Sequence, residues 1–130
     1  MSKEVLLEKS TMIVSETDMK GNILYANNDF CKIAGYTKDE LIGQPHNIVR
    51  HIDMPKVAFK GLWDTLKNGK TWNGIVKNKT KDGDFYWVNA TAYEVTKKDG
   101  QKSLISVRVK PTKEEIEYAT ELYKQLKREE

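Results

Sequence analysis

The sequence predicts an α+β domain with antiparallel strands, and three observations carry that class. Runs of β-branched and aromatic residues with period two fall in two blocks, residues 12–26 and 72–109. Short amphipathic helical segments occupy the stretch between them. Asp82-Gly83 and Asp99-Gly100 are strong hairpin signals, so neighbouring strands in the later block run antiparallel.

In chain order, residues 12–16 and 22–26 form a first pair of strands around Asp18-Met19-Lys20-Gly21, a polar connection whose glycine takes positive φ. Asn27-Asn28-Asp29 then offers capping side chains to a helix of about two turns. Its Phe30, Ile33 and Ala34 lie at i, i+3 and i+4, and Gly35 supplies the stop. Thr37 and Glu40 make a T-x-x-E capping box for a second short helix that ends near Gly43. Pro55, suited to a first helical turn, opens the longest helix of the domain. Val57, Phe59, Leu62, Trp63 and Leu66 trace its apolar stripe to Asn68-Gly69. Strands follow at 72–80, 85–96 and 103–109. Thr112 with Glu115 starts a last helix, whose Ile116, Ala119, Leu122, Tyr123 and Leu126 share one side. That stripe is covered either by the domain's own sheet or by a partner or downstream segment.

Composition removes several classes of function. The chain has 130 residues, enough for one core and too few for a two-domain enzyme. Lys plus Arg is 22 against 19 for Asp plus Glu, a net of +3 that falls short of the basic stripe a nucleic-acid binder carries. The tail from Pro111 is net acidic, with Lys113, Lys124, Lys127 and Arg128 against six glutamates, and so differs from the body before it. No run approaches the ~18 apolar residues of a membrane span, and MSKEVLLEKST lacks a cleavable hydrophobic segment, so a cytoplasmic location is expected. Cys31 alone forms no internal disulfide and no zinc cluster, and it reads as a small buried thiol.

The chemical motifs that occur by chance fail on spacing. Gly69-Lys70-Thr71 resembles the end of a phosphate-binding loop, but Asp64 stands where the first glycine is required and a strand follows instead of a helix. There is no G-x-G-x-x-G. Asn78-Lys79-Thr80 and Asn89-Ala90-Thr91 fit the glycosylation pattern without a secretion signal to make it matter. His46 and His51, five apart, lack the i, i+4 spacing and intervening Glu of a zinc protease, and no nucleophile accompanies them. No catalytic residue and no metal site are predicted.

One stretch stands out. Gln44, His46, Asn47, Arg50, His51 and Asp53 crowd donors and acceptors into ten residues around Ile48 and Val49. Such density suits the polar mouth of an apolar ligand pocket. Trp63, Trp72, Trp87, Phe59 and Tyr86 are candidate walls. In the strand from Trp72, period two places Trp72, Gly74, Val76 and Asn78 on one face, so Asn78 is a polar outlier among apolar neighbours. Buried, it needs an internal partner or a planar, hydrogen-bonding ligand.

The opening pattern DMKGNILYANNDFCKIAGYTKDELIGQ resembles that of PAS domains, sensory modules built on one five-stranded sheet with a helical flank. The stretch GQPHNIVRHIDMPKVAFKGLWDTLKNGKTWNGIVKNKTKDGDFYWV is similar to PAS domains of the bacterial aerotaxis and energy-taxis type, which bind FAD non-covalently. The resemblance covers roughly residues 10–125. It implies a lead-in at 1–10, a PAS sensor domain at 11–110 and an output helix at 111–130. It also implies a flavin site at Asn27, Arg50, His51, Asp53, Phe59, Trp63, Trp72 and Asn78, with Arg50 on phosphate and Asn78 at the isoalloxazine edge. Ile52 departs from the Pro common in that type, and Lys110-Pro111-Thr112 replaces the D-x-T often found before an output helix. The G-x-N-C-R-F-L motif of light-sensing relatives is absent.

What the resemblance implies is sensing without turnover. FAD stores electrons, Asn78 or a neighbour re-pairs with the altered ring edge, and redox, oxygen or energy status passes to a chemotaxis-type signalling partner or downstream receptor domain, of a kind that can be membrane-anchored. A homodimer is compatible with this. Two alternatives remain at this stage: a cofactor-free interaction and dimerisation module, and a haem-binding PAS sensor with His46 or His51 as axial ligand.

Overall fold

Five strands and four α-helices make up the computed structural model, which describes residues 2–130. β1 (Ile13–Thr17) and β2 (Ile23–Ala26) form the first hairpin, with Gly21 at φ 90° in its turn. α1 (Asn28–Ala34) and α2 (Lys38–Leu41) follow. A 3-10 turn at His46–Val49, not foreseen in the sequence, leads to α3 (Lys56–Lys67). β3 (Trp72–Lys79), β4 (Phe85–Thr96), β5 (Lys102–Val109) and α4 (Lys113–Arg128) complete the chain. The strands form one sheet in the order β2-β1-β5-β4-β3, with every neighbouring pair antiparallel.

Local chemistry accounts for the boundaries. Thr37 and Thr112 each accept from the backbone N–H three residues on, while Glu40 and Glu115 reach back to the cap, so both capping boxes form as the T-x-x-E spacing predicts. Pro55 lies one residue before α3, in extended backbone, so the helix begins at Lys56. The segment expected as a lead-in is docked: Val5 N–H donates to the Phe85 carbonyl at 2.7 Å, Phe85 N–H donates to Lys3, and Leu7 enters the core.

The inner face of the sheet carries two apolar clusters. One joins Ile13, Ile23, Phe30, Leu41, Val49 and Val88 beneath α1 and α2; the other joins Leu66, Ala92 and Leu104 beneath α3. Trp72 packs against both. On the outer face, α4 lies against β3 and β4. The Trp87 and Tyr123 rings stack at 6.5 Å, and Asn89 donates to Glu115 at 3.2 Å. Of the two covers that the amphipathic tail allowed, the structure has the domain's own sheet, with Ala119 buried and Tyr118 and Leu122 exposed.

Candidate functional site

Between the two clusters lies a cavity of about 290 Å³, floored by the sheet and roofed by α3. That places it at the low end of the ~300–1,000 Å³ typical of small-molecule sites. Period two builds the floor. Trp72, Val76 and Asn78 of β3, Ala90 and Ala92 of β4, and Leu104 and Arg108 of β5 all point inward. The apolar stripe of α3 supplies the roof through Phe59, Leu62, Trp63 and Leu66.

Five of the residues expected at a ligand site meet here: Arg50, Phe59, Trp63, Trp72 and Asn78 all line the cavity. The Arg50 guanidinium lies 3.7 Å from the centre of the Phe59 ring, a cation–π contact at the mouth. The Arg50 backbone forms an isolated bridge with Asn78, tying the loop to the floor. Trp63 closes the side towards the β1–β2 turn, where its ring passes within 3.5 Å of the place a Cβ would take on Gly21. Asn78 is 5% exposed, and Tyr86 pairs with it across the strands.

Three expected residues lie elsewhere, each held by a different task. Asn27 caps α1: its Oδ1 accepts from Phe30 and Val14 N–H groups, and its Nδ2 donates to the Met12 carbonyl. His51 accepts from the Asp53 N–H through Nδ1 and meets the Phe85 ring edge-on, away from the cavity. Asp53 faces the opposite side of the sheet edge, where Lys77 Nζ lies 2.8 Å away and holds its carboxyl below the usual carboxylate range. Two proposed walls also move. Trp87 occupies the odd phase of β4 and stacks on Tyr123 outside; Tyr86 is buried in the core but not on the cavity wall.

A second group on the wall was not singled out from the sequence. Arg108, 3% exposed, donates through Nη1 to His46 Nε2 at 2.9 Å and through Nη2 to Ser15 Oγ at 2.8 Å. Its plane lies 4.6 Å from the Phe30 ring centre, and its Nε has no partner among the described residues. Arginine only donates, so His46 Nε2 is unprotonated and the ring is neutral. Burial, reinforced by the Arg108 charge, pushes the His46 imidazole down to about 3. Burial also lowers Arg108 to about 10, and raises the neighbouring Tyr86 phenol to about 12 against the pull of that charge. The alternation that exposed Asn78 carries the same signal in β5, where Arg108 shares a face with Leu104.

A family model described as the PAS fold matches residues 23–108. The aerotaxis receptor of Escherichia coli (strain K12) is 48% identical over 120 residues, which cover 92% of this chain and 24% of the receptor. The nitrogen fixation regulatory protein of Klebsiella oxytoca is 29% identical over 96 residues, covering 74% of this chain and 19% of that protein. The chain therefore spans about a quarter or less of the length of either relative. A light-oxygen-voltage domain solved in work on a flavin analogue has the same fold, with a TM-score of 0.73 at 19% identity, covering 93% of this chain and 90% of that one. No helix among the described residues is long and apolar enough to cross a membrane. With its five-stranded sheet, helical flank and match over residues 23–108, the chain belongs to the PAS family, where it is related to the aerotaxis receptor.

Proposed function

We propose that this PAS domain is sensory, binds FAD non-covalently with the ring system in the inner cavity, and passes redox, oxygen or energy status to a chemotaxis-type partner or downstream domain. The observation that carries the reading is the composition of the cavity. Aromatic and aliphatic walls surround a few buried polar groups, Thr17, Asn78 and Arg108, as a planar ligand with a hydrogen-bonding edge requires. The unpartnered Arg108 Nε adds a buried donor, and Arg50 at the mouth is placed where a phosphate would leave towards solvent. The residues present therefore fit the flavin, and the relation to the aerotaxis receptor favours it.

When bound, FAD supplies reversible electron storage with a change in protonation on its ring. The chain's own residues do the rest. Asn78 carries both a donor and an acceptor, so its amide matches either state of a ring edge by turning over. Phe59, Trp63 and Trp72 exclude water, which strengthens that hydrogen bond and the field of Arg108. Asn78 sits on β3, and the back of the same strand is tied to α4 where Tyr123 donates to the Ile75 carbonyl. A change in the Asn78 hydrogen bond, worth about 1–3 kcal/mol when a buried group is left unpaired, is enough to bias a two-state contact there.

Haem is disfavoured because His46, the histidine on the cavity wall, has Nε2 engaged by Arg108 and Ser15. The test is the absorption spectrum of freshly purified protein, with acid release and chromatography of whatever colours it. Oxidised-flavin bands and released FAD support the reading. A protein that stays colourless after incubation with FAD overturns it in favour of a cofactor-free interaction module.

A further inference from the structure

Gly74 lies on β3 between Trp72 and Val76, on the cavity side of the sheet. A Cβ built on it would stand 2.5 Å from Trp72 Cζ2 and 2.6 Å from Cη2, far inside van der Waals contact. The benzo edge of the indole therefore rests on the bare glycine. Gly74 is not among the glycines with positive φ, so the strand backbone there is open to any residue. Glycine weakens a strand, and its use here is for close approach. Its cross-strand neighbour is Ala90, and that of Trp72 is Ala92, which keeps the floor low beneath and beside the indole. Asn78 and Arg108 line the same space, so the room carries polar groups for a ligand.

We propose that Gly74 is a specificity-determining residue. By letting Trp72 recline on the sheet, it keeps the gap between the indole and α3 open for a planar ring system. Any side chain at position 74 lifts the indole into that gap. The proposal rests on the cavity holding a flavin, and the experiment separates the two.

FAD is titrated into ligand-free wild type, Gly74→Ala, Trp72→Ala and the double variant, with flavin fluorescence as the readout. Gly74→Ala should weaken binding about tenfold to a hundredfold, the range that overpacking by one methyl produces. Trp72→Ala and the double variant should bind alike, because without the indole the added methyl displaces nothing. If Gly74→Ala does not fold, a double variant that folds and binds as Trp72→Ala does still assigns the cost to the indole; a double variant that fails too overturns the proposal. Equal affinity of wild type and Gly74→Ala, or an equal penalty with and without the indole, overturns the proposal alone. Wild type that takes up no FAD overturns the cofactor reading and the proposal with it.

Discussion

The Tyr123 hydroxyl donates to the Ile75 carbonyl at 2.5 Å, a bond that joins the last helix to the strand carrying Asn78. β3 is an edge strand, where carbonyls turned off the ladder need other partners, and Tyr123 supplies one from α4. Burial also raises the Tyr123 phenol above its ordinary value, in keeping with a neutral donor. Tyr123→Phe keeps the stack on Trp87 and removes only the bond. It should lower stability by about 0.5–1.5 kcal/mol in chemical denaturation and speed amide exchange selectively in α4. Exchange in α4 at the wild-type rate would mean that the helix is held by its apolar side alone.

Acid should destabilise the domain through His46. Its folded value near 3 lies below the ordinary 6.5, so between these limits the unfolded chain binds the extra proton. The stabilising effect is whole above pH 6.5 and is lost as pH falls towards 3, with a slope from this group approaching about 1.4 kcal/mol per pH unit. His46→Gln, which retains an acceptor for Arg108, should flatten the pH dependence of the denaturation midpoint over that window. An unchanged profile would place the acid sensitivity elsewhere.

Arg108 sets stability against binding. Its hydrogen-bonded partners, His46 and Ser15, are neutral, so a buried cation stands without a counter-charge. Arg108→Met should raise the stability of ligand-free protein by about 1–3 kcal/mol, as replacement of buried charge by apolar volume often does. The same variant should bind FAD more weakly in titration. Loss of stability in the ligand-free variant would show that the hydrogen bonds to His46 and Ser15 outweigh the cost of burying the guanidinium.

Much of the fold was legible because the local signals agree with one another. Asp82-Gly83 and Asp99-Gly100 sit in the turns between the last three strands, and Thr37 and Thr112 cap the helices their spacing predicts. The lining of the cavity was readable where a period exists. Trp72 and Asn78 follow from alternation in β3, and Phe59 and Trp63 from the stripe of α3. Place relative to the cavity was not readable where residue type stood without phase. Trp87 is aromatic but one position out of step, and Asn27 has the chemistry of a cap as much as that of a ligand contact. His51 and Asp53 lie in an irregular loop, where nothing in the sequence specifies direction. Arg108 escaped notice because a charged residue near the end of a strand suggests solvent, although its phase places it beside Leu104.

The place of the cofactor can be read from the three indole N–H signals in a nitrogen-proton correlation spectrum, each assigned by its Trp→Phe variant. Trp63 and Trp72 line the inner cavity, and Trp87 stands on the far side of the sheet. Adding FAD to ligand-free protein should shift the Trp63 and Trp72 signals, saturating at one equivalent, and leave that of Trp87 nearly in place. No shift at stoichiometric FAD, or a shift confined to Trp87, would contradict a flavin bound between α3 and the inner face.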